Sequence, residues 1–115
     1  MSDDAMKRAK ENWELYYTLT KEMLKYIEAA DIEQFLEIER QRAVIVERMK
    51  ELPETETYRQ TEECRELVQE IKPIDMQVLY KAKTWLNKSR RQNATVHSYD
   101  LQHVNPIGNI LNRKY

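Results

Sequence analysis

Residues 64–85 read CRELVQEIKPIDMQVLYKAKTW, and this stretch decides the fold. Cys64, Leu67, Ile71, Ile74, Val78, Ala82 and Trp85 recur at steps of three and four, the spacing that lines one face of an α-helix. The phase continues across Pro73, so the segment reads as one helix kinked at the proline. The alternative is two helices divided there, with the lost backbone bond as the stop. Val68, Leu79 and Leu86 follow a neighbouring track, and Met76 and Tyr80 lie further round. The apolar arc is therefore wider than a single seam requires.

Working outward, the helix is expected over about 57–93, with Pro53 to Thr57 as the loop before it. Upstream, Phe35, Ile38, Ile45, Met49 and Leu52 form a second stripe, over about 31–52, which Pro53 ends. Asp31 and Gln34 stand at capping-box spacing at its start. A first helix, about 4–29, carries Met6, Ala9, Trp13, Tyr16, Thr20, Leu24 and Ile27 at helical steps, with Asp3 and Asp4 at its positive dipole end. The only glycine is Gly108, and the prolines are Pro53, Pro73 and Pro106, so long uninterrupted helices fit the first half. Short connections make an antiparallel up-down-up bundle the simplest all-α architecture. Trp13, Phe35, Ile45, Leu67, Ile71 and Trp85 are its expected interior. The bundle domain is assigned to 1–94 and a weakly structured or short helical C-terminal tail to 95–115, with a type I turn at Asn105–Gly108.

Composition narrows function by exclusion. At 115 residues, 41% hydrophobic and 34% charged, the chain suits one folded domain with a heavily solvated surface. Nineteen basic against twenty acidic residues give a net charge of −1, which supplies no general field for nucleic acid. No apolar run reaches the roughly 20 residues of a membrane span. Cys64 has no second cysteine to pair with, and the start lacks the features of a signal peptide, which points to a reducing cytoplasm. Glu62, Glu63 and Glu66 disfavour a thiolate at Cys64, so it reads as a small buried residue.

Signatures of catalysis are missing: no phosphate-cradling glycine loop, no HExxH and no nucleophile elbow. His97 and His103 are not at metal-binding helical spacing. Glu37, Glu39, Arg40 and Arg42 read as charges on the outer turns of the second helix. Lys88, Arg90 and Arg91 read as cations favoured at a helix C-terminus. No cofactor, metal or catalytic residue is expected, and the chain is read as a protein-binding module.

The chain resembles the FliT/FlgN-type flagellar export chaperones over roughly residues 10–99. The likeness rests on Tyr17–Ala30, on Ile38-Glu39-Arg40-Gln41-Arg42 leading to Met49-Lys50-Glu51-Leu52, and on Leu67-Val68-Gln69-Glu70-Ile71 running into Ile74-Asp75. It ends on Asn93-Ala94-Thr95-Val96-His97-Ser98-Tyr99. The resemblance implies a cytoplasmic bundle, monomeric or dimeric, that binds an amphipathic helix of a flagellar axial protein and delivers it to the type III export apparatus. FliT-type members are associated with the filament-cap protein, FlgN-type members with hook–filament junction proteins. It also raises the question whether the tail covers the binding surface, against which Pro106 and Gly108 argue.

The arc on the third segment is the expected partner surface. Val68, Met76, Leu79 and Tyr80 are its apolar contacts, and Asp75 and Lys83 its polar rim. Met76 offers an adaptable thioether and Tyr80 an apolar body with a polar tip. The competing readings are a self-associating helical structural or adaptor protein, including a homodimer through this face, and a regulator or small all-helical enzyme.

Overall fold

The computed structural model describes residues 2–92. The expected tail at 95–115, its turn at 105–108 and both histidines lie outside them. Four helices follow in order: α1 (Ser2–Glu28), α2 (Ile32–Glu51), α3 (Glu54–Arg59) and α4 (Glu62–Gln92). No strand occurs among the described residues, so the all-α expectation holds, with a short α3 added between the second and third long helices.

Local chemistry explains each boundary. At the end of α1 the Asp31 N–H donates to the Tyr26 carbonyl at 2.9 Å and the Ala30 N–H to that of Ile27 at 3.1 Å, a Schellman closure. It places Ala30 at φ 58°, the left-handed region. Asp31 then caps α2, its Oδ1 accepting from the Gln34 N–H at 3.3 Å. Leu52 is extended (φ −100°, ψ 110°), the conformation favoured before proline. The loop expected from Pro53 to Thr57 does not occur: Pro53 (φ −57°, ψ −32°) instead initiates α3. A proline costs nothing where the N–H would have no helical partner. Thr61 separates α3 from α4: its hydroxyl donates to the Tyr58 carbonyl at 2.7 Å and accepts from the Cys64 N–H at 3.2 Å. That cap moves the start of the last long helix from about 57 to Glu62. From there α4 runs through Pro73 without interruption, as the continuous phase predicts.

α1 is the central element and packs on all three others, whereas α2 and α4 barely meet through their backbones. The three-residue turn folds α2 antiparallel to α1. α4 lies parallel to α1, because Lys10 pairs with Glu63 at 3.1 Å near their starts and Glu28 with Lys81 at 3.6 Å further along. Both pairs are exposed and contribute little stability. Most of the interior is apolar: Trp13, Tyr16, Met23, Phe35, Met49, Ile71 and Val78 are almost fully excluded from solvent. The Trp13 indole N–H reaches the Thr55 carbonyl at 3.5 Å, tying α3 to α1.

Trp13, Phe35, Ile45 and Ile71 are inside as expected, but Leu67 and Trp85 are only partly buried at the edge of the core. The buried line of α4 is Cys64, Val68, Ile71, Asp75, Val78, Ala82 and Leu86. It keeps the helical step but is rotated so that a carboxylate, not Ile74, falls on the inner face.

Candidate protein-binding face

The six expected contact residues divide between two sides of α4. Met76 and Tyr80 are 68% and 71% exposed, one turn apart. Lys83 is exposed one turn further on, and Leu79 is half-buried against the edge of the core. Val68 and Asp75 are each 3% exposed and belong to the interior. Asp75 therefore supplies no polar rim in the folded bundle, and Val68 offers no apolar contact there. Asp75 and Met76 are adjacent in sequence, but a helix turns about 100° per residue, which sends one inward and the other outward. Nothing on α1, α2 or α3 covers the Met76–Tyr80 line, a face unusual for the size of its apolar side chains.

What fixes that rotation is a buried polar bridge. The Arg42 guanidinium on α2 donates to the Asp75 carboxylate on α4 at 2.8 Å, with the two side chains 0% and 3% exposed. The same Nη1 donates to the Thr20 hydroxyl on α1 at 2.9 Å, and Thr20 in turn donates to the Tyr16 carbonyl at 2.8 Å. The guanidinium carbon stands 4.8 Å from the Tyr16 ring centre, a cation–π contact. Burial pushes the Asp75 carboxyl above its ordinary range, while the Arg42 charge and hydrogen bond pull it back. Burial also raises the Tyr16 phenol, which keeps it neutral beside the pair. Three long helices thus meet at one hydrogen-bonded cation. Sealed from solvent, the arrangement is that of a structural clamp.

Arg42 overturns part of the sequence reading. Glu37 and Arg40 do lie outside, joined at 2.6 Å with Gln41 donating to the same carboxylate at 2.9 Å. Glu39 and Arg42, expected beside them on the outer turns, are buried at 8% and 0% exposure. A signal was present: the apolar stripe of α2 skips from Ile38 to Ile45, and Arg42 fills the missing helical step. Position 75 fills the corresponding step between Ile71 and Val78.

Cys64 is fully buried, and burial first, then Glu63, pushes its thiol up to about 12 although Arg59 pulls the other way. The nucleophilic thiolate is accordingly suppressed. Among the described residues no group of histidine, cysteine and acidic side chains is placed to hold a metal. No described helix is long and apolar enough to cross a membrane.

Comparison with known proteins adds the family. A family model described as "Flagellar protein FliT" matches residues 10–101. No curated protein and no solved structure matches the chain.

Proposed function

The chain belongs to the flagellar protein FliT family, and from that premise we propose that it is a cytoplasmic chaperone whose α4 holds an amphipathic helix of an axial flagellar protein before type III export. The family implies a flagellar export chaperone, and the axial partner is the filament-cap or the hook–filament junction protein. The observation that supports the face is the pair Met76 and Tyr80, more than two-thirds exposed on the side of α4 turned away from the core. Leu79 extends the contact at the margin, and Lys83 supplies a charged edge. A partner helix laid along this line gains roughly 25 cal/mol for each Å² of apolar surface removed from water, before ordering costs are subtracted. Val68 and Asp75 act from behind, by holding α4 at the rotation that presents the face.

The test uses purified chain with the purified filament-cap protein and, separately, the junction proteins from the same source, measured by calorimetry. Replacing Met76 and Tyr80 together by glutamate is expected to abolish binding of one of them while the circular-dichroism spectrum and melting temperature stay near wild type. Unchanged affinity in that variant would remove the face from consideration. A stable dimer in sedimentation, dissociated by the same substitutions, would favour self-association instead.

A further inference from the structure

An open cleft of about 330 Å³ between α3 and α4 is lined by Arg59, Arg65, Val68, Gln69 and Lys72. Its charged lining consists of three cations and no carboxylate, in a chain whose net charge is −1. Arg65 and Lys72 are exposed, and among the described residues neither enters an ion pair. Arg59 also lines the cleft but is buried, 8% exposed, so the cations open to solvent there are Arg65 and Lys72.

Helix geometry sharpens this. Position 69 is four residues after Arg65 and three before Lys72, the place from which a glutamate would neutralise both. The residue there is Gln69. The acid at helical spacing from Lys72 is Asp75, which is turned inward and spent on Arg42. Glu62, three residues before Arg65, forms no ion pair with it. The rotation that exposes Met76 therefore also leaves Lys72 without a carboxylate on its own helix.

The cleft also lies on the line of the apolar face. Arg65, Gln69, Lys72, Met76, Leu79 and Lys83 follow one another at steps of three and four along α4, a run of about 27 Å at 1.5 Å per residue. Resting on the function proposed above, we infer that the partner is a helix of roughly five turns whose acidic end docks on Arg65 and Lys72 while its apolar stripe covers Met76 and Tyr80. Charge complementarity sets the direction and register in which the partner lies, and apolar burial supplies the affinity.

Two synthetic helical peptides test this. They share one apolar stripe and differ only in their terminal two turns, which carry three glutamates in one and three glutamines in the other. At low salt the glutamate peptide is expected to bind the full chain about tenfold more tightly, the scale of a few partly exposed charge pairs. That advantage is expected to vanish in strong salt, in R65E/K72E, and in Gln69→Glu, which neutralises the cations internally. Methyl and amide shifts should place the acidic end near Lys72 and the stripe near Met76.

Equal binding of the two peptides by the wild-type chain would overturn the acidic-end assignment and leave the apolar face standing. A glutamate preference surviving in R65E/K72E would remove the cleft as its cause. Displacement of the glutamate peptide by millimolar inorganic phosphate would make the cleft a general oxyanion site and overturn the peptide assignment. Failure of both peptides to bind wild type would count against the apolar face as well.

Discussion

Arg42 and Asp75, on helices whose backbones scarcely touch, are joined at 2.8 Å in the interior of the bundle. Removing either partner leaves the other charge buried alone. Arg42→Ala and Asp75→Ala are each expected to lose about 3–5 kcal/mol in urea unfolding. The double substitution R42M/D75L removes both charges and should recover most of that loss. The Tyr16 hydroxyl is buried with no hydrogen-bond partner among the described residues, so Tyr16→Phe should cost nothing or stabilise. A full loss in R42M/D75L would mean that the pair contributes more than its own neutralisation.

The thiol of Cys64 gives stability a dependence on alkaline pH. The unfolded chain releases this proton near the ordinary 9.0, the folded chain only near about 12. Between those values the folded state holds more protons, so stability falls as pH rises. Below pH 9 both states are protonated and the effect is absent. Denaturation midpoints measured from pH 8 to 11 should fall less steeply in Cys64→Ala than in wild type, and the native thiol should react slowly with a disulfide reagent at pH 8.

Ala30 occupies the left-handed position of the α1 cap, where its Cβ is crowded against the backbone. Ala30→Gly is expected to stabilise the fold by about 1 kcal/mol, visible as a melting temperature several degrees higher. An unchanged or lower value would mean that the added freedom of the unfolded chain cancels the relief of strain.

The two sides of α4 predict opposite responses to the same chemistry. Val68→Glu introduces a charge into the core and should cost more than about 3 kcal/mol, enough to unfold much of the protein. Met76→Glu, on the exposed side, should stay within about 0.5 kcal/mol of wild type. Thermal melts of the two variants are sufficient to compare them.

Much of this was legible from residue spacing. The three long helices, the passage of α4 through Pro73 and the Asp31 cap all follow from local rules, because helical period and capping act over a few residues. Of the residues expected to contact a partner, Met76, Tyr80 and Lys83 are exposed and Leu79 is half-buried, but Val68 and Asp75 lie inside. The width of an apolar arc shows that a helix is broadly apolar, and not where the centre of its buried side falls. That centre depends on Arg42, a residue 33 positions away whose charge made it look solvent-facing. The short α3 was missed because Pro53 both ends one helix and permits the next, and only the geometry of Leu52 tells which role prevails.

The parallel placement of α4 against α1 also has a kinetic meaning. α1 and α2 form a hairpin across a three-residue turn, whereas α4 meets α1 through partners 53 positions apart in sequence, Lys10 with Glu63 and Glu28 with Lys81. Those contacts become local only once the hairpin has brought the end of α2 beside the start of α1. Substitutions at the α1–α2 contact, such as Ile45→Val, should slow refolding, and those on the inner side of α4, such as Val78→Ala, should mainly speed unfolding. The helix that carries the Met76–Tyr80 face is then expected to join the fold last and leave it first, which native-state hydrogen exchange would show as weaker protection in α4 than in α1 and α2.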